Sequence, residues 1–394
     1  MDSYKGNKHQ YIYNFRLDTM IKYLSILLLF PLFAQAQITC GLGGILYAPN
    51  SKPFTHSYSI VTDHTQSGSV NSSTFTVLVN LTLTNLKTVA NGGVVQSVTA
   101  GIPNDVVFSS SSSYGSYLPY EVEYYNASTG QIIAWVQIPT LSVSVNETVY
   151  MGIGSSTITT FQGGSNGAAW NSNFKTVLHC PNGSALSLSD YTANADNGTN
   201  EDATAGAGNI DGGMALSGSN QYMKFSSDPL TLTSDFTISG WFNTSTDNGQ
   251  YPRLFSFIDN ANTNFQLIID DQGGSTGKFA VLLTRSGTAT INQVTYTTPS
   301  YGAWVYITYT VSGSTGTLYI NGSSVSSSGT TSIGIGTIYI PVIGARSDLN
   351  SSTYYKGTID EIHCVGSALS SSWILAEYNN QVSTSTFLTT TLIY

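Results

Sequence analysis

The sequence predicts an all-β protein built as two β-sandwich domains. Three observations carry that prediction. At 394 residues the chain exceeds the usual size of one domain, so two are expected, each large enough to bury a core. Past the N-terminal region no long stretch shows a helical period, and short apolar segments alternate with Gly, Asn and Ser, the spacing of strands and turns in a sandwich or barrel. Hydrophobic residues make up 41% and charged residues only 9% of the chain, which fits a β-rich extracellular protein and not a disordered one.

Strands are expected over 75–83, 132–138, 236–242, 265–269, 279–283, 305–311 and 317–320. The last of these runs into Asn321-Gly322, a hairpin turn signal because both residues tolerate positive φ. One helix is expected, over 371–381, with serines to cap it ahead of Trp373, Ile374 and Tyr378. The domain boundary falls where Gly163-Gly164-Ser165-Asn166-Gly167 interrupts the strands.

Near the N-terminus, Met20-Ile21-Lys22 leads into an apolar run from Leu24 to Phe33 and then Ala34-Gln35-Ala36. A basic start, an apolar core of about ten residues and a small-residue end predict a secretory signal peptide cleaved after Ala36. The run is too short to span a bilayer, and no second long apolar run follows, so the mature chain is expected to carry no membrane-spanning segment and to be secreted or held at the cell surface. Residues 1–19 are polar and fit poorly ahead of such a leader, which places the expected start at Met20. With 22 acidic against 13 basic residues the net charge is -9, which repels a phosphate backbone and argues against nucleic acid as a partner.

Two sets of motifs resemble known families. Asp63-His64-Thr65, Phe75-Thr76-Val77-Leu78-Val79, Leu118-Pro119-Tyr120-Glu121-Val122-Glu123, Ala134-Trp135-Val136-Gln137-Ile138-Pro139 and Ala169-Trp170-Asn171-Ser172-Asn173-Phe174-Lys175 occur in the order of the domain of unknown function DUF2341. Farther on, Phe236-Thr237-Ile238-Ser239-Gly240-Trp241-Phe242, Leu318-Tyr319-Ile320-Asn321-Gly322 and Gly357-Thr358-Ile359-Asp360-Glu361-Ile362 resemble a laminin-G-like domain of the concanavalin A-like lectin/glucanase superfamily. The expected organisation is a leader over 1–36, a DUF2341-like β domain over 37–175, a laminin-G-like jelly roll over 176–382 and a strand-like tail over 383–394. That tail is expected to pair with a neighbouring chain or to run on into further sequence.

The resemblance implies two packed antiparallel sheets that recognise glycans or proteins through loops and one sheet face. It also makes calcium the cofactor to look for, with Asp211 and Asp360 the carboxylates at which to look. Cys180 and Cys364 lie on expected short strands at opposite ends of the second domain, and the first and last strands of a jelly roll commonly pair, so a disulfide between them is the preferred reading. The two His-Cys dipeptides also invite a zinc reading. Alternation along a strand, however, sets His179 with His363 on one face and Cys180 with Cys364 on the other, two ligands per face.

No catalytic constellation is legible. Retaining glycosidases of this fold use paired carboxylates about 5 Å apart in a Glu-x-Asp-x-x-Glu arrangement, which is not found. Glu121 and Glu123 share a strand face but belong to the first domain's pattern and read as a solvated or hydrogen-bonded edge; Asp270-Asp271 and Asp360-Glu361 are adjacent and point apart. No Gly-x-Ser-x-Gly elbow occurs, and none of the 5 histidines has a triad context. Binding is therefore expected in place of catalysis, with polysaccharide or glycoprotein as partner, and with a structural surface module that assembles with itself or other proteins as the alternative. A glycan-degrading enzyme ranks behind both. Trp241 alternates with Phe236, Ile238 and Phe242, so it faces either the core or a ligand; Arg346, Tyr354 and Tyr355 surround a polar loop and are the other candidate ligand contacts.

Overall fold

A computed structural model describes residues 52–394 apart from 182, 184, 231–234, 246–251, 259–263, 270–277, 285–293, 298–300, 314 and 330–340. The expected leader and the Asp270-Asp271 pair lie outside the described residues.

The first half contains β1 (His56–Thr62), β2 (Ser72–Thr82), β3 (Val106–Ser109), β4 (Tyr120–Asn126), β5 (Gln131–Leu141) and β6 (Thr148–Ile153). Strands β1, β6 and β3 share one antiparallel sheet, and β2, β5 and β4 form a second. Phe75, Val77 and Val79 on β2, Ile132 on β5, Phe108 on β3 and Met151 on β6 join one buried cluster. Burying side chains of that size is the main drive for the two sheets to pack.

In the second half, β7 (Phe174–Leu178), β8 (Phe236–Thr244) and β9 (Lys356–Val365) belong to an eight-stranded sheet. Facing it is a seven-stranded sheet that includes Tyr222–Phe225, Arg253–Ile258, Asn264–Ile269 and Lys278–Thr284. Between them lie Phe236, Ile238 and Phe242 of β8 with Phe255, Phe257 and Leu267. The hairpin turn is where the sequence places it: Asn321 and Gly322 have φ of 50° and 75°, and Ile320 pairs directly with Ser323.

The helix also forms, as α1 (Ser371–Val382), and Ser370 caps it by accepting a 3.1 Å hydrogen bond from the Trp373 amide. It lies across the outer face of the eight-stranded sheet and reaches the first half. Asn380 there imitates a strand partner, its Oδ1 accepting from the Leu78 amide at 2.6 Å and its Nδ2 donating to the Leu78 carbonyl at 3.0 Å. A single turn, α2 (Thr384–Phe387), then turns the chain into β10 (Leu388–Leu392), which pairs antiparallel with β1 from Thr62–Leu388 to Tyr58–Leu392. Within residues 383–394, Leu388–Leu392 is thus an edge strand of the chain's own first sheet. The first sandwich encloses the second in sequence, and Lys52–Tyr394 cluster as one compact unit.

The expected disulfide does not form: Cys180 and Cys364 are both free thiols, buried in the second core. The strand register explains why, since Cys364 pairs with Thr176, and Cys180 lies four residues farther along the chain. At about 3.3 Å per residue that offset puts the two on the order of 10 Å apart, beyond the roughly 7 Å that a bridge spans. Burial pushes both thiols well above their ordinary pKa, so neither is a ready thiolate. Alkylation of the unfolded, unreduced protein should therefore label both cysteines, read by peptide mass; recovery of a Cys180–Cys364 cross-linked peptide would refute this register.

Candidate functional site

Two β-bulges aim charged side chains at the seam between the halves. On β4, Val122 pairs with Ala134 and Tyr124 with Ile133, so Glu123 is an extra residue, and it turns the same way as Glu121. On β9, His363 pairs with Ser239 and Asp360 with Trp241, so Glu361 and Ile362 together oppose Gly240. Glu361 sits at the bulge with φ of 50°, a left-handed conformation that costs a non-glycine residue on the order of 1 kcal/mol. Because of this bulge Ile359 and Ile362 both enter the second core, while Asp360 and Glu361 both lie outside it. The expectation that adjacent carboxylates point apart fails there because a bulge breaks strand alternation.

His179, just past β7, is the hub of the cluster. Its Nε2 lies 2.7 Å from Glu121 Oε1 and its Nδ1 2.8 Å from Glu361 Oε2 and 3.9 Å from Glu123 Oε2. The ring stacks on Trp135 with centroids 5.0 Å apart and an interplanar angle of 16°, and Tyr191 packs beside it. Trp135 donates its indole N–H to Glu123 Oε2 at 2.8 Å, and Trp170 donates to Glu121 Oε1 at 2.9 Å. His363 follows on the same side, with Nε2 3.4 Å from Glu361 Oε2 and Nδ1 2.9 Å from Glu377 Oε1 on α1. His179, Glu123 and Glu361 are wholly buried, and Glu121 is 13% exposed.

Charge in this closed space redistributes. Burial alone works against imidazolium, yet Glu361 and Glu123 hold His179 well above the usual histidine range, and Glu361 and Glu377 hold His363 up to about 9. Burial raises the carboxyl of Glu361, but His179 and His363 outweigh it and the net shift is downward. Glu123, with burial and the Glu361 charge both against ionisation, is pushed well above its ordinary value. Glu361 thus lies between the rings of His179 and His363, which together hold its carboxyl below the ordinary value.

The parity argument for the histidines and cysteines holds: His179 and His363 face the seam, Cys180 and Cys364 the second core. Glu121 and Glu123, read as a strand edge, are instead at the centre of this interface. The pairs Glu121-x-Glu123 and Glu361-x-His363 are visible in the sequence, but nothing in either segment says that two distant strands meet across a domain boundary.

The sequence-derived ligand contacts are placed elsewhere. Trp241 does point away from Phe236, Ile238 and Phe242, but α1 covers that face: the indole donates to Gln381 Oε1 at 2.6 Å, packs on Tyr306 and Tyr378, and is 1% exposed. Tyr355 is buried in the second core with its hydroxyl 3.1 Å from Thr244 Oγ1, and Tyr354 packs on Val342 and Ala345. Arg346 pairs with Asp348 at the surface. Of the residues expected around calcium, Asp360 is committed to the main chain: Oδ2 accepts from the Asn209 and Ile210 amides and Oδ1 from that of Glu361. Asp211 sits on the turn that Asp360 holds, where its carbonyl accepts from the Gly208 amide.

A polar surface cleft of about 410 Å³ opens where Lys175, Asn194, Asp196 and Ser226 to Pro229 converge. Asp196 Oδ1 accepts from the Ser226 hydroxyl at 2.7 Å, while Oδ2 is buried without a hydrogen-bond partner. The volume lies within the range of small-molecule sites, and a lining of amide, carboxylate and hydroxyl groups suits a hydroxyl-rich ligand.

Comparison with known proteins gives two family matches within the chain. Residues 103–176 match the domain of unknown function DUF2341, and residues 217–375 match the concanavalin A-like lectin/glucanases superfamily. A DUF2341 segment thus precedes a concanavalin A-like one. The second match supports a carbohydrate-binding role for the chain. No curated protein matches. Among solved structures the chain is similar to the binding domain of Paraclostridial Mosquitocidal Protein 1, at 19% identity and TM-score 0.42 over 52% of each chain. It is similar also to a botulinum neurotoxin serotype D ligand binding domain solved with N-acetylneuraminic acid, at 17% identity and TM-score 0.44 over 55% of this chain and 53% of that one. A third is domain 4 of a GH43 extracellular arabinanase from Geobacillus stearothermophilus solved with arabinotriose, at 20% identity and TM-score 0.42 over 52% of this chain and 98% of that one. The alignment spans about half the length of the first two.

Proposed function

We propose that this is an exported carbohydrate-binding protein that takes a polysaccharide or glycoprotein glycan at the polar cleft around Asp196, by recognition and not catalysis. The observation that carries the proposal is the polar cleft itself, where the Lys175 ammonium, the Asn194 amide, the Asp196 carboxylate and the Ser226 and Ser227 hydroxyls converge beside a concanavalin A-like segment. Such amide, carboxylate and hydroxyl groups can exchange their water hydrogen bonds for those of sugar hydroxyls. Against catalysis stands the placement of the acidic cluster, whose carboxylates are enclosed by Trp135, Trp170 and Tyr191, where a polymer has no path to them. Export is supported by the leader pattern ending at Ala36.

The mature chain from residue 37 should bind saturably on a glycan array, tested with calcium and with chelator. Asp196→Ala should weaken the best glycan about 10- to 100-fold, the cost of one hydrogen bond to a charged group. No saturable binding in either buffer would turn the assignment to the structural module that assembles with itself or other proteins.

A further inference from the structure

We propose that Glu123, His179 and Glu361 form a binding site for one divalent cation of the zinc type, assembled from both halves of the chain. One ligand atom from each lies within 4.8 Å of the others, and all three residues are buried. The donor set, an imidazole nitrogen with two carboxylates, is one that zinc accepts, and three protein ligands leave a position for water.

Three further observations point to a cation and not to shared protons alone. The first is unused donor capacity: Glu123 Oε1 and Glu361 Oε1 are buried without hydrogen-bond partners. The second is the bracing of the ligand ring. Glu121 accepts from His179 Nε2 at 2.7 Å, which fixes the tautomer and leaves Nδ1 facing Glu123 and Glu361. A carboxylate behind a ligating imidazole is the usual outer support of a zinc site. The indole N–H of Trp135 in turn holds Glu123, and that of Trp170 holds the supporting Glu121.

The third is charge. Glu121, Glu123, Asp360, Glu361 and Glu377 gather around two imidazoles, an excess of acid in a space closed to solvent. A dication offsets that excess in one step. Seating it releases to solvent the proton held between His179 Nδ1 and Glu361 Oε2 and opens their 2.8 Å contact by about half an ångström, to the spacing of neighbouring ligands around zinc. Because the ligands come from β4, the segment after β7 and β9, the cation would lock the two halves together.

The test unfolds the full chain in denaturant with chelator and refolds it with zinc, with cobalt(II) as a spectroscopic substitute, with manganese or with calcium. After dialysis the metal is counted by mass spectrometry. The expected result is one zinc or cobalt per chain, visible cobalt absorption of a four- or five-coordinate site, and a thermal midpoint that falls on chelation. Glu123→Gln, which keeps an acceptor for Trp135, and Glu361→Gln should each abolish stoichiometric retention and the effect of chelator. Glu121→Gln should keep the site but weaken it about 10- to 100-fold. Below roughly a tenth of an equivalent in the wild-type chain, the proposal is overturned. It is overturned equally by retention of calcium alone, or by zinc retention that neither Glu123→Gln nor Glu361→Gln diminishes. The wild-type count decides even where a variant does not fold.

Discussion

A chain ended at residue 370 is expected to lose its first sandwich, although every removed residue follows the last strand of the second one. Residues 371–394 supply Trp373, Ile374, Phe387 and Leu388, all buried, and three of them belong to the core shared with β2 and β5. At about 1.5–3 kcal/mol for each large apolar side chain, these four account for roughly 6–12 kcal/mol of burial. That is comparable with the whole stability of an ordinary domain, about 5–15 kcal/mol. Two polar clasps go with them: the Asn380 side chain on the Leu78 main chain, and Ser372 Oγ, which accepts from the Ser69 and Val70 amides at 2.9 and 3.0 Å. Finally β1 becomes a sheet edge when β10 is removed. Hydrogen exchange reads this directly, because amides of β1 and β2 should lose protection in the truncated chain while those of β8 keep much of theirs. Protection of β1 unchanged from the full chain would show that the first sandwich stands without its C-terminal strand.

The fold was legible to the extent that local signals decide it. Alternation within 236–242 correctly separates Trp241 from Phe236, Ile238 and Phe242. The serine ahead of Trp373 caps the helix over Ser371–Val382, and Asn321-Gly322 makes the two-residue turn. What covers a face is not a local property. Trp241 is as compatible with a sugar as with a helix until α1 is seen to lie over it. The same holds for residues 388–392: Leu-Thr-Thr-Thr-Leu has strand character, but its partner β1 lies more than three hundred residues away, and no pattern within either segment names the other.

The cluster at the seam was hidden for a related reason. His179 and His363 were placed correctly on one face, yet a count of ligands within one sheet stops at two. Glu121 and Glu123 come from the other half, and Glu361 joins only because a bulge interrupts β9. A bulge at a non-glycine residue leaves almost no mark in the sequence. The Gly240 opposite it is the one hint, and it reads equally well as an ordinary strand glycine.

Replacing His179 by alanine should lower the unfolding free energy by about 3–5 kcal/mol, the range for removing one partner of a buried ion pair. The ring is 0% exposed and touches three carboxylates, so its loss leaves Glu121 and Glu361 facing one another without the group that separates them. It also leaves a void against the Trp135 face, 5.0 Å from the ring centroid, which the stiff indole cannot fill. His64 provides the contrast. It bonds Asn146 at 2.6 Å in an exposed setting, where water replaces the lost partner and His64→Ala should cost no more than about 1 kcal/mol. Denaturant unfolding of both variants at neutral pH, with chelator in every buffer so that metal-free proteins are compared, measures the difference. If His179→Ala proves as mild as His64→Ala, water reaches the cluster, and the seam between the halves is not the dry joint described above.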